Sequence, residues 1–281
     1  MELNIIYTIF ITIAAIALTY LFAKKKFVKQ NENTLTELKN EVATKKNELE
    51  YLKEKQTKFW NVISNQLRTL FYSFYNSIDL LNNGYDDLSV EEKKELIANI
   101  GKSYDQSLGI INELLEWVKA NRRRQNSTPE YINLSLLLNE NLSHLNSKLD
   151  EKNITIDKVI GENIPIYGDK MMIDFVIKSI LGNAIKFSYR DGIIRVECSK
   201  IGNRAELTIS DSGIGIPKEN LEKLFKLDEI ISTVGTGNEK GSGLGLIICK
   251  DFLELNNGKL TMHSEFGRGT TVSIVLLGTD N

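Results

Sequence analysis

The chain has 281 residues, 42% of them apolar and 26% charged, with a formal net charge of −2 at pH 7. That length suits one or two soluble domains plus an appendage. The balanced charge gives no reason to expect nucleic acid as a partner, and the lone, widely separated Cys198 and Cys249 exclude a disulfide scaffold or a C-x-x-C metal cluster.

Residues 5–23 carry no charge and are mostly Ile, Ala, Leu, Phe, Thr and Tyr. At about 1.5 Å per helical residue they span roughly the hydrocarbon core of a bilayer. Lys24, Lys25, Lys26 and Lys29 follow at once, whereas only Glu2 precedes the run. The positive-inside rule then predicts a single-pass anchor in the cytoplasmic (inner) membrane. The N-terminus would lie outside and the bulk of the chain in the cytoplasm. A cleaved signal peptide would carry its basic residues first. The predicted anchor is 1–23.

Residues 24–58 read as a charged linker. Leu35, Val42, Leu49, Gln56 and Ile63 recur every seven residues, and Leu38, Lys45, Leu52 and Phe59 form a second seam. This a/d pattern predicts a parallel two-stranded coiled coil, with a solitary solvated helix as the other reading. An amphipathic helix continues to Asn83-Gly84, which breaks it. Ser89 and Glu92 have capping-box spacing and open a second helix that carries Leu96, Ile97, Ile100, Leu108, Ile111, Leu115 and Val118 on one face. Residues 59–124 are thus a helical hairpin, and two such hairpins would make a four-helix dimerisation bundle. Arg122, Arg123 and Arg124 end it, and residues 125–130 read as a linker.

From residue 131 to 278 the pattern turns to mixed helix and strand, an α/β sandwich with its strands grouped together. Helices are expected at 134–149 and 171–187. Strands are expected at 154–160, 193–201, 205–211, 258–264 and 270–277. The whole is a membrane-anchored chain of α plus α+β class.

Three clusters in this last domain carry chemistry. Asn183 and Lys186 lie three apart on one helical face, where an amide oxygen could ligate Mg²⁺ and an ammonium could meet phosphate. The same spacing is common on solvated helices. Asp211-Ser212-Gly213-Ile214-Gly215 follows a strand. It reads either as an Asp-capped glycine turn or as a carboxylate that accepts a hydrogen bond from an exocyclic amine, with glycines that let backbone approach a ligand. Gly241-Ser242-Gly243-Leu244-Gly245 opens a helix, whose free N–H groups suit phosphate.

In that order, the three boxes resemble the Bergerat (GHKL-type) ATP-binding domain shared by histidine kinases, type II topoisomerases, Hsp90 and MutL. The details are most similar to sensor histidine kinases of two-component systems. Leu224-Phe225-Lys226 resembles their phenylalanine box, and the stretch from Ser264 to Thr270 their closing strand-turn-strand. The resemblance covers about residues 59–277. It implies that Asn183 ligates Mg²⁺, Lys186 meets the ATP phosphates and Phe187 packs on adenine. It also implies that Asp211, backed by Thr270, binds the adenine amino group while Gly213 and Gly215 shape that wall. A mobile lid would run over about 218–241, bringing Phe225 and Lys226, with Gly241, Ser242, Gly243, Leu244 and Gly245 closing over the phosphates. Ser179 stands where the family usually has a second Asn, and Ser242 where it usually has Thr.

The first hairpin helix aligns without gaps to the family's phosphoacceptor box. Phe59, Ser64, Leu67, Arg68 and Thr69 match it, but Asn65 stands at the histidine position, Gln66 at the adjacent acid and Leu70 at the usual Pro. An amide nitrogen is no nucleophile, and Gln66 cannot take a proton as a carboxylate would. The remaining histidines, His144 and His263, fall in the ATP-binding domain. The expectation is therefore a histidine kinase-like protein that binds Mg-ATP but does not phosphorylate itself. As a pseudokinase it would act as a regulator, as a homodimer or as a heterodimer with another histidine kinase, or phosphorylate that partner in trans. A response-regulator phosphatase using Thr69 is an alternative, as is an ordinary kinase with an unrecognised acceptor.

Overall fold

The computed structural model describes residues 2–123, 129–226, 233–237 and 241–279, with side chains described only at scattered positions before residue 35 and not at 52, 55 or 120–123. The chain divides into two units, Met1–Phe59 and Trp60–Asn281.

The first unit is helical, within α1 (Glu2–Asn83). Among the described residues no helix is long and apolar enough to cross a membrane. The apolar run at 5–23 falls almost wholly outside the side chains described. Leu35, Leu38, Val42 and Leu49, the expected seam, are exposed in the single chain. Exposed Lys45–Glu48 and Lys46–Glu50 pairs flank them, each worth at most about 1 kcal/mol.

In the second unit α1 ends at Asn83, where the Gly84 amide closes the last turn on the Leu80 carbonyl. A 3-10 turn at Tyr85–Asp87 leads to α2 (Val90–Arg123). The capping box forms as spaced: the Ser89 amide donates to Glu92 Oε2 at 2.8 Å and the Glu92 amide to Ser89 Oγ at 3.2 Å. The Ser89 hydroxyl, which donates to the same Oε2 at 2.7 Å, and then the Ser89 amide hold the Glu92 carboxyl below its ordinary range. Ile63 and Ile110 are buried in this hairpin, and Trp60 meets Trp117 edge-on at 6.2 Å.

Glu130, read as the last linker residue, instead opens β1 (Glu130–Asn133). It pairs antiparallel with β3 (Pro165–Gly168), a two-stranded sheet the sequence reading lacks. Both strands are only four residues long, too short for alternation to register. The helix expected at 134–149 is two helices, α3 (Leu134–His144) and α4 (Asn146–Lys152). They join at Leu145, whose amide turns back to the Leu142 carbonyl. Asn153 ends α4 with φ 52°, a conformation Asn tolerates.

The main sheet runs in the order β2 (Thr155–Ile160), β4 (Ile193–Ile201), β5 (Arg204–Asp211), β7 (Gly269–Leu277) and β6 (Lys259–Glu265). Only β2 and β4 are parallel. Alternate residues of the central strands, Ile194, Val196 and Cys198, Ala205, Leu207 and Ile209, Val272, Ile274 and Leu276, are buried on one face. There α5 (Lys170–Phe187) and α7 (Gly245–Leu255) cover them, with Phe175 and Phe252 meeting at 5.3 Å between the two helices. Asp169 caps α5 by accepting the amides of Met171 and Met172.

Candidate nucleotide site

Helix α5 buries a stripe from Met172 through Ile177 and Leu181 to Ile185. Its helical period leaves Ser179, Asn183 and Lys186 on another face, and Phe187 beside them at the C-terminus. These four residues line a cavity of about 260 Å³. The Asn183 amide makes no hydrogen bond to the described residues. The Lys186 ammonium lies 4.5 Å from the centre of the Phe187 ring and donates to the Thr233 carbonyl at 3.3 Å.

One end of the cavity holds Asp211, the last residue of β5. Its Oδ1 accepts the Gly213 amide at 2.9 Å and the Thr270 amide at 3.2 Å, while Oδ2 has no partner among the described residues. Burial pushes the carboxyl above its ordinary range, against the pull of those two amides. Thr270 thus meets Asp211 through its backbone. Its hydroxyl bonds at 2.9 Å with Ser264, which also accepts the Ile216 amide at 2.8 Å. Ser264 therefore ties the glycine turn to β6. That turn leaves no room for side chains: a Cβ on Gly213 would lie 2.1 Å from the Phe187 carbonyl oxygen.

The other end holds the loop entering α7. Gly241, Ser242, Gly243 and Gly245 line the cavity, and Gly243 has φ 75°. The Ser242 hydroxyl accepts the Leu244 amide at 3.0 Å, and the N-terminus of α7 has no side-chain cap. Its first amides are left for an anion. The ammonium of Lys186 reaches this loop: a Cβ on Gly241 would sit 2.6 Å from Nζ.

Four predicted nucleotide-site residues, Gly213, Phe225, Lys226 and Leu244, are not among those lining the cavity. Leu244 is fully buried in the core. Phe225 and Lys226 are not on the cavity wall, where Leu224 is instead, and the Lys250 ammonium stands 5.8 Å from the Phe225 ring centre. The expected lid contains α6 (Lys218–Leu221), but its residues 227–232 and 238–240 lie outside those described.

Sequence reasoning missed two residues. Buried Lys152 donates to the carbonyls of Ile185 and Lys186 at the C-terminus of α5, and to Thr236 Oγ1. A cation at a helix C-terminus is favourable, and this one fixes the turn that presents Lys186 and Phe187. Glu113, from α2, reaches into the cavity and accepts the Ser242 hydroxyl at 2.5 Å. Desolvation raises its carboxyl, opposed by the Ser242 bond and the Lys186 charge. From α1, Gln66 Nε2 donates to the Ser242 carbonyl at 2.7 Å. No spacing rule links these residues to the loop, because the contacts span 129 and 176 residues.

Residues 168–279 match the family described as histidine kinase-, DNA gyrase B- and HSP90-like ATPase. The chain is histidine kinase-like, with a GHKL-type ATP-binding domain. Its similarity extends beyond that domain. A sensor-like histidine kinase of Rhizobium meliloti is 27% identical over 241 residues, 85% of this chain and 46% of its own length. The sensor histidine kinase RcsC of Escherichia coli is 28% identical over 236 residues, 82% of this chain and 24% of its own. The hybrid signal transduction protein dokA of Dictyostelium discoideum is 30% identical over 228 residues, 77% and 13% of the two lengths. This histidine kinase-like chain spans less than half the length of these relatives. Its fold is shared with the Acinetobacter baumannii histidine kinase AdeS, at TM-score 0.56 and 17% identity over 76% of this chain and 98% of the other. It is shared too with histidine kinase ThkA solved with response regulator protein TrrA, at 0.57 and 19% over 77% and 60%.

Where the resemblance expects the acceptor histidine, the Asn65 side chain is exposed, and the Asn65 backbone carbonyl accepts the Thr69 hydroxyl at 2.9 Å. His144 and His263 are exposed on α3 and β6.

Proposed function

We propose that this chain is a membrane-anchored, dimeric signalling protein that binds Mg-ATP and has no histidine to phosphorylate in itself. The observation that carries the reading is Gln66. Its amide touches the phosphate-side loop at Ser242, so the acceptor turn stands beside the nucleotide cavity, yet it offers amides at 65 and 66 where an imidazole and a carboxylate would be needed.

The cavity suits the nucleotide. Asp211 Oδ2 has no partner among the described residues and suits an adenine amino group, the glycine turns admit close backbone approach, and Lys186 with the α7 amides suits phosphate. Among the described residues no three acidic, His or Cys side chains gather, so bound Mg²⁺ would rest on the unpartnered Asn183 amide and on phosphate oxygens. Mg²⁺ would supply charge neutralisation at the phosphates. Phe187 lines the wall as an adenine platform.

Exposed Phe71, Tyr72, Tyr75, Ile97, Tyr104 and Leu115 on the hairpin, and the Leu35–Leu49 stripe, give the surface that a second chain would cover. That chain is another copy or an active histidine kinase, whose own histidine this ATP site would serve. The uncharged run at 5–23 supports a location at the membrane, and a response regulator is the downstream partner in this reading. A second reading, a response-regulator phosphatase, draws on the exposed Thr69 hydroxyl one turn after Asn65.

The test uses the full-length chain in detergent. Calorimetry with Mg-ATP is expected to show saturable binding. Incubation with γ-labelled ATP is expected to leave no acid-labile, base-stable phosphate on the protein, and such a label contradicts the reading. A shortened lifetime of phosphorylated response regulator, without loss of partner phosphorylation, favours the phosphatase.

A further inference from the structure

The hairpin does more than stand beside the cavity. Glu113 of α2 enters it at the end furnished by Ser242, Lys186, Ser179 and Gly245. Its Oε2 takes the Ser242 hydroxyl at 2.5 Å, and the Lys186 charge acts on it. The Oε1 atom lies close to the first residue of α7: a Cβ on Gly245 would be 3.9 Å from it. The hydroxyl, the ammonium and the helix N-terminus are the donors that a terminal phosphate would need. The carboxylate of Glu113 already takes the hydroxyl, and its charge acts on the ammonium.

We propose that Glu113 determines which adenine nucleotide this cavity prefers, by placing a carboxylate on the Ser242 hydroxyl at the phosphate end so that a nucleoside diphosphate binds more tightly than a triphosphate. The inference rests on the nucleotide reading above. Its physical basis is exclusion of like charge. A carboxylate and a terminal phosphate that share one hydroxyl lie within about 4 Å, where repulsion in a partly desolvated site is large. The triphosphate fits only after α2 withdraws Glu113 from Ser242. That withdrawal also strains the Gln66 contact, because both side chains hold the same residue. The α- and β-phosphates of a diphosphate make no such demand, and adenosine makes none.

The experiment titrates the full-length chain with adenosine, ADP and ATP at fixed Mg²⁺, and repeats it with Glu113→Gln, Glu113→Ala and Glu116→Gln. Gln is nearly isosteric and can still accept the Ser242 hydroxyl. Ala removes the group on a helix that tolerates Ala, so a reading survives if one variant fails to fold. Glu116 is one turn on, half-buried and paired with Lys119. The wild-type chain is expected to prefer ADP over ATP. In Glu113→Gln and Glu113→Ala the ratio should shift toward ATP by about tenfold or more, with adenosine affinity unchanged. Glu116→Gln should leave the ratio at its wild-type value. No shift in the folded Glu113 variants, or an equal shift in Glu116→Gln, overturns the inference. Failure of adenosine, ADP and ATP alike to bind overturns the nucleotide reading instead.

Discussion

Replacing Asp211 by Asn isolates the contact that the proposed nucleotide reading assigns to base recognition. Oδ1 of Asp211 is committed to the amides of Gly213 and Thr270, so an Asn would keep its oxygen there. Its Nδ2 would then occupy the place of Oδ2. A donor would face the donor amine of adenine. Loss of a hydrogen bond to a charged acceptor is worth about 1.5–3 kcal/mol, or roughly 10- to 150-fold in Kd. Burial already opposes the ionised carboxyl, so the neutral variant should unfold at the wild-type temperature or above. Calorimetric titration with ATP, adenosine and inosine triphosphate reads the effect. ATP and adenosine should weaken by the same factor, because the lost contact is to the base. Inosine triphosphate, which carries an acceptor in place of the amine, should gain on ATP. Wild-type ATP affinity in a folded Asp211→Asn chain, or an unchanged ratio of ATP to inosine triphosphate, would refute the assignment of Asp211.

Further outcomes follow from the same geometry. Lys152→Met should cost about 1–3 kcal/mol in denaturant unfolding, since it strips the donor from two α5 carbonyls and Thr236, and a midpoint unchanged from wild type would contradict that role. Phe252→Ala should cost about 3–5 kcal/mol, because the ring is fully buried against Phe175, and thermal denaturation measures it. Burial raises the thiols of Cys198 and Cys249 to about 12, so neither should react with a thiol reagent at pH 8 until the chain unfolds. The same shift fixes a sign for alkaline stability. The folded chain keeps these protons to higher pH than the unfolded chain, so the contribution is whole below about 9 and is lost as pH rises toward about 12. The loss is about 1.4 kcal/mol per pH unit for each thiol, read from unfolding midpoints of the wild-type chain beside Cys→Ala variants.

Much of the fold is written in local pattern. The Ser89–Glu92 box, the Asn83-Gly84 break and the alternation in β4, β5 and β7 each depend on residues within a few positions of one another, and these are the signals a sequence carries most strongly. The break at Leu145 is different. Its neighbours continue a helical pattern, and only a turn between α3 and α4 interrupts it. The site divides in the same way. Asn183, Lys186, Asp211 and the glycines of 241–245 are read from compact motifs that dictate backbone approach and helix faces. Phe225 belongs to such a motif yet lies off the cavity wall, because placement there depends on the path of the whole segment from 218 to 241. Glu113, Gln66 and Lys152 act through contacts formed only by folding. Lys152 in sequence is one Lys of a polar stretch, and nothing there shows that α5 will bring three acceptors to it.

The central claim is that the nucleotide machinery is present and the phosphoacceptor is not. It is tested most directly by incubating wild type and the Asn65→His, Gln66→Glu double variant, each full-length and in detergent, with γ-labelled ATP, while bound nucleotide is measured in the same samples. The account predicts bound nucleotide in both and acid-labile, base-stable protein phosphate in the double variant alone. Such phosphate on the wild-type chain would contradict it.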